Sequence, residues 1–192
     1  TQKEVEDLRS YLGLDRPFHV QYFTFLKNAL QGDLGKSFIF NKPALGLIVE
    51  RIPATMELAL CAIVLSLIIG LPAGMYAAVK PESWLAKNIM SGSLLGISLP
   101  VFWLGIILVL VFSVILGWLP SSGRGQTEAV FGIRLGLLTL NGLKHLILPA
   151  LTIAVFHLAL IVHLVRAGMQ EVLLQDFIKF LKAKGLSANK VV

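Results

Sequence analysis

LALCAIVLSLIIGLPAGMYAAV, residues 58–79, carries no charged side chain and is interrupted only by Gly70, Pro72 and Gly74. As a helix rising 1.5 Å per residue it reaches about 33 Å, enough to cross the roughly 30 Å hydrocarbon core of a bilayer. Within a bilayer, Pro and Gly are tolerated where neighbouring helices satisfy the freed backbone groups, so this cluster predicts a kink or a close helix contact. Glu57 stands at the head of the run. It reads either as a headgroup-level acid near a helix N-terminus or as an intramembrane carboxylate on a substrate path, and the first is preferred.

Composition extends the membrane reading to the whole chain. Of 192 residues, 56% are hydrophobic and only 15% charged, far from the soluble globular class. The net charge of +6 does not point to nucleic acid, because the basic residues are spread along connecting segments with no interleaved stacking aromatics. Cys61, the single cysteine, lies inside an apolar run and leaves no disulfide framework or cysteine metal cluster. The stretch GDLGKS, residues 32–37, resembles a phosphate loop only superficially: two residues rather than four separate its glycines, and a helix rather than a strand is expected before it. It reads as a glycine-rich turn. No cofactor or metal is expected, and no paired carboxylates or nucleophile motif suggest an enzyme. The first fifty residues lack the apolar core of a secretory signal. The chain opens without Met and closes in a polar stretch, so a longer protein is expected at both ends.

Taken in order, residues 1–51 are expected to form short amphipathic helices. The first covers 1–12 behind a capping box of Thr1 and Glu4, the second 18–30 with Phe23, Leu26 and Leu30 aligned and Gly32 as its stop. Three membrane spans follow, at 52–79, 89–117 and 145–165. Residues 88–123 are uncharged and too long for one straight crossing, so a kink is expected at Ser98-Leu99-Pro100, with Trp118 in the interfacial belt. The connector 118–144 is apolar enough over 131–140 to dip toward the membrane. His157 and His163 lie in the third span, six residues apart and hence on different faces; packing is preferred to a metal or proton role. Glu57, Pro72 and Pro100 are the residues that could line a pathway or kink a span.

The last stretch is RAGMQEVLLQDFIKFLKAKGLS, residues 166–187. Met169, Val172, Leu173, Phe177, Phe180 and Leu181 recur at spacings of three and four, predicting one amphipathic helix joined to the third span. Lys and Arg are denser in 80–87 and 166–192 than in 1–51 and 119–144, which assigns the first two to the cytoplasm and the others to the outside.

Several motifs now appear in order: LGLDRP (12–17), GDLG (32–35), PATMELA (53–59), SLPVFWLG (98–105), LGWLP (116–120) and HLILP (145–149). With QDFIKFLKAKGLS (175–187), the chain resembles the permeases of binding-protein-dependent ABC importers, in the dipeptide and oligopeptide branch. The resemblance implies an all-α polytopic bundle, with three spans of a six-helix-type permease fold, in a bacterial or archaeal cytoplasmic membrane. It implies a second permease subunit, cytoplasmic ATP-binding subunits that hydrolyse the ATP, and an extracytoplasmic solute-binding protein. The segment 166–192 resembles the EAA-type loop that docks on the ATPase, carried here by Lys182, Ala183, Lys184, Gly185, Leu186 and Ser187. Phe180 and Leu181 stand where the family has small residues. The cargo implied is a peptide; the same branch also carries nickel chelates, glutathione and oligosaccharides. An ion-gradient-driven secondary transporter is the reading from a different class.

Overall fold

The computed structural model describes residues 9, 13, 15–37, 39–130 and 132–184. The helix expected over residues 1–12 lies outside them apart from Arg9, as do Gly185, Leu186 and Ser187 of the docking segment. The chain divides into two compact units, Thr1–Pro53 and Ala54–Val192.

In the first unit, helix α1 is Phe18–Leu30, with the predicted bounds. It ends in a turn through Gly32 (φ +81°), whose N–H donates to Ala29 O at 3.0 Å while Asp33 N–H donates to Asn28 O at 2.9 Å. The Asp33 carboxylate then accepts from Gly35 N–H at 2.9 Å, so the GDLGKS stretch is a helix stop followed by a local side-chain turn.

Helix α2, Ala44–Val79, is longer than the span 52–79 read from the sequence, and it continues through both Pro53 and Pro72. Glu57 therefore lies well inside a helix, which corrects the expectation of an acid at a helix start. Ala62, Ser66, Gly70 and Gly74 recur every four residues on one face of α2, and all four are buried. What covers them is α5, Leu140–Leu173. A Cβ on Gly70 would lie 2.9 Å from Ile161 Cγ2, and one on Gly74 would lie 2.8 Å from Val165 Cβ. The hydroxyl of Ser66 donates to Ala62 O and lies 3.3 Å from Ala154 O. Lipid gives no hydrophobic drive for helix association, so close backbone approach along small residues is what holds such a pair. The contacts advance together along both chains, from Ser66 with Ala154 to Gly74 with Val165, so α2 and α5 run parallel.

The uncharged stretch after residue 88 is divided at Leu99–Pro100. Helix α3, Trp84–Ser98, starts at an Ser83 cap, whose hydroxyl accepts from Ala86 N–H at 3.1 Å; α4 is Val101–Val109 and continues as a π-helical turn over Leu110–Ile115. The two halves are bent by 104°, a sharper break than the kink read from the sequence. Pro100 has no N–H to offer the carbonyls of α3 and biases the residue before it away from helical geometry, which places the break here. Both halves pack on α5 and step backward along it. Ser93 meets His163, a Cβ on Gly96 would touch Val155 at 3.1 Å, and one on Gly105 would touch Thr152 at 3.3 Å. Thus α5 is the helix on which α2, α3 and α4 all pack. Among the described residues, two helices are long and apolar enough to cross a membrane, or three if the bent pair counts as one span.

Residues 128–135 add the only strands among the described residues. Strand β1, Glu128–Val130, pairs antiparallel with β2, Ile133–Leu135, in the register Glu128↔Leu135. Gly132 turns the chain at φ +81°. The apolar stretch expected to dip toward the membrane is in part this hairpin.

Candidate functional site

Because α2 and α5 are parallel, the N-terminal hairpin end and the C-terminal end of α5 lie about 50 Å apart at 1.5 Å per residue. Each end carries a feature that the sequence reading flagged.

At the hairpin end, Glu57 is only 4% exposed. Its Oε2 accepts from Arg124 Nη2 at 3.0 Å and its Oε1 accepts from Leu137 N–H at 3.0 Å. Arg124 Nη2 also donates to Arg134 O at 2.6 Å, so one guanidinium joins α2 to the outgoing strand β2. Thr139 then caps α5: its hydroxyl accepts from Gly142 N–H at 2.9 Å and donates to Gln126 O at 2.6 Å. Asn141 Oδ1 accepts Gln126 N–H at 3.0 Å. Gly125 (φ +68°) permits this closure, because a Cβ there would sit 2.6 Å from both Asn141 Oδ1 and His145 Nδ1. A buried charge without a partner is strongly unfavourable, and here both carboxylate oxygens are engaged by residues of the 124–137 connector. Both oxygens thus face this connector within the chain.

At the other end, α5 continues unbroken to Leu173 and then turns. Leu174 and Gln175 form the turn, with Gln175 N–H donating to Val172 O at 3.1 Å, and α6 runs over Asp176–Ala183. This corrects the single helix expected over 166–187. The turn resets the register, so the proposed shared stripe of Met169, Val172, Leu173, Phe177, Phe180 and Leu181 is split between two helices. Among the described side chains of α6, Ile178 is buried, at 3% exposure, whereas Phe177 and Phe180 are 51% and 58% exposed. Asp176 sits in the first turn of α6, where a negative charge complements the helix dipole. Lys182 and Ala183 fall in α6 and Lys184 follows it, with the Lys184 ammonium 4.6 Å from the centre of the Phe180 ring.

The other flagged residues separate. Pro72 is internal to α2, and Pro100 precedes α4 at the break. Beyond Pro100, α4 and α5 border an open groove of about 760 Å³, walled by apolar residues such as Phe102, Ile106 and Leu148, with Ser121, Ser122 and His145 at its polar part. His157 points out and its Nδ1–H donates to Ile153 O of its own helix at 2.9 Å. His163 is different. The Ser93 hydroxyl lies 2.8 Å from Met90 O of its own helix and 3.1 Å from His163 Nε2, and the second contact joins α3 to α5. Sequence reasoning missed Arg124 and the Ser93–His163 pair. A signal for the first was present: Arg124 is the sole charged residue between Lys87 and Glu128, just as Glu57 is the sole one between Arg51 and Lys80.

Residues 70–192 match the family described as the binding-protein-dependent transport system inner membrane component. The chain is 40% identical over 193 residues to the di/tripeptide transport system permease protein DppB of Pseudomonas aeruginosa, covering 94% of this chain and 57% of that protein. It is 36% identical over 200 residues to the dipeptide transport system permease protein DppB of Alkalihalophilus pseudofirmus, covering 98% and 60%. The chain thus spans just under or at three-fifths of the length of these relatives. Identity sustained over nearly the whole chain, together with a family match reaching from the glycine face of α2 through α6, makes this chain a member of the binding-protein-dependent transport system inner membrane components.

Proposed function

We propose that this chain is part of the permease subunit of an ATP-binding-cassette importer for di- and oligopeptides, working in a bacterial or archaeal cytoplasmic membrane. The observation that carries the reading is the course of α5. The helix on which α2, α3 and α4 all pack leads, through a two-residue turn, into a short amphipathic helix with exposed aromatic residues. A push on α6 is therefore delivered to the element that touches every spanning helix. Coupling of this kind needs a rigid element with two arrangements, biased by contacts at one end. In this reading a separate cytoplasmic ATPase docks on Lys182, Ala183, Lys184, Gly185, Leu186 and Ser187. A second permease subunit completes the path, and a solute-binding protein delivers the cargo at the hairpin end. The names of the relatives favour peptides over nickel chelates, glutathione or oligosaccharides.

The test is Gly185→Trp in the assembled transporter. Uptake and transport-coupled ATP hydrolysis are expected to fall at least tenfold while the complex still assembles. Unchanged uptake with unchanged hydrolysis would remove this segment as the coupling surface. Uptake that follows a proton gradient and needs no ATPase would favour a secondary transporter instead. Thermal shift of the cognate binding protein against peptides, metal chelates and oligosaccharides identifies the cargo class.

A further inference from the structure

Glu57 is an expensive residue for a membrane-length helix, and the structure buries it, 4% exposed, against the connector. Both of its oxygens are taken by the 124–137 connector, one by the Arg124 guanidinium and one by the Leu137 N–H. The same guanidinium reaches Arg134 O in β2, and the connector is fastened to the first turn of α5 through Thr139, Gln126 and Asn141. The hairpin between these fastenings is itself exposed, including Val130, Ile133 and Arg134. A three-residue strand pair is too short to hold a pose by its own ladder. Its pose must come from these fastenings to α2 and to the first turn of α5, among which the Glu57–Arg124 pair is the charged one and the one that reaches β2.

We infer that Glu57 and Arg124 are a positioning pair: they set the hairpin formed by Glu128–Val130 and Ile133–Leu135 in a fixed pose beside Glu57 of α2, so that a delivering protein meets a preformed surface. This rests on the importer reading for the partner, but not for the pose. Association with a preordered surface avoids the entropy of ordering it on contact, so loss of the pair weakens docking before it alters the coupled step. Glu57 acts through Arg124 and the connector, and cargo does not touch it.

The test must separate positioning from the burial of a lone charge. Removing Arg124 alone leaves the carboxylate uncompensated and confuses the two, whereas the double variant E57M/R124M removes both charges together; such apolar replacements of buried pairs are often neutral in stability. In the assembled transporter bearing E57M/R124M, assembly and basal ATP hydrolysis are expected to stay unchanged. The concentration of binding protein giving half-maximal stimulation is expected to rise at least fivefold, with the maximum unaltered. Hydrogen exchange of the peptide covering residues 133–139 is expected to quicken at least tenfold. An unchanged exchange rate would overturn the inference, and so would a lowered maximum at unchanged half-saturation. If wild-type transporter shows no response to any binding protein, the importer reading fails; the exchange measurement alone then decides the pair, in the same direction. Should E57M/R124M fail to assemble, E57Q, which keeps an acceptor for Leu137 N–H, is measured by exchange: quickening over residues 133–136 supports the pair, and no change overturns it.

Discussion

The two ends of α5 are built on opposite terms. At the hairpin end, a charged pair, a threonine cap and an amide contact tie 124–142 to two helices; both Glu57 oxygens, the Thr139 hydroxyl and Asn141 Oδ1 have partners within the chain, while Arg124 Nε is buried with none. At the α6 end, a short helix buries Ile178 and leaves Phe177, Phe180 and Leu174 exposed. Burial of apolar area is favourable wherever it can be found, so aromatic side chains left exposed beside a lysine-bearing segment suit contact with another surface. The contrast teaches that one end is tied down by an ion pair and hydrogen bonds even though Val130, Ile133 and Leu138 stay exposed there, whereas the other presents exposed aromatic side chains on a short helix. Substitutions should accordingly cost stability at the first end and function at the second.

The sharpest way to break the contrast is Arg124→Met. It strands the Glu57 carboxylate in a site 4% exposed, and an unfolding measurement in detergent should show a loss of about 3 kcal/mol, the low end for a broken buried pair because Arg124 is itself 34% exposed. A loss below about 0.5 kcal/mol would mean that water reaches the carboxylate. Next in size is Gly74→Val. Its Cβ would lie 2.8 Å from Val165 Cβ and 3.0 Å from Val162 O, so α2 must shift away from α5 at a cost of about 1–3 kcal/mol. Gly92→Ala is its control, since nothing lies within 4 Å there; it should be neutral or stabilising by up to about 1 kcal/mol, as alanine is the better helix former. If both glycines respond alike, close packing is not what holds α2 to α5.

Thr139→Ala removes the cap of α5 and should cost about 1 kcal/mol, read as a lower melting temperature. The smallest stability effect belongs to Phe180→Ala at the opposite end. A side chain 58% exposed should change unfolding by less than about 0.5 kcal/mol, while uptake by the assembled transporter drops severalfold. Full uptake with this variant would show that the exposed aromatic faces lipid or water rather than a partner.

Helix α1 was readable to the residue because Pro17 and Gly32 bound it, and the spans were readable because long uncharged runs have few alternatives in a membrane protein. The break at Pro100 was legible in place but not in size: a proline states that the helix must yield, while the 104° angle depends on how both halves seat on α5. The turn at Leu174–Gln175 was missed because no Gly or Pro marks it and the apolar spacing runs on as if uninterrupted. The hairpin was missed because 128–135 is short and sits in a loop whose apolar content suggested the bilayer. For Glu57, its rarity in an apolar run marked it as significant, yet the preferred reading placed it at headgroup level near a helix start. Its helix begins thirteen residues earlier, and its partner Arg124 is far away in the chain.

What the sequence by itself determined is what depends on solvent and on local backbone chemistry. Apolar length requires helices that cross lipid, an order of short motifs carries membership of the permease family, and Pro and Gly mark several of the ends. What only the tertiary structure decided is which face meets which: the parallel seating of α2 on α5 along Ser66, Gly70 and Gly74, the meeting of Ser93 with His163, and the contact of Glu57 with Arg124 and Leu137. The physical reason is separation along the chain. A helix or a turn is settled by neighbours within a few residues, whereas the separation of 67 positions between Glu57 and Arg124 leaves their pairing to the packing of every element between them.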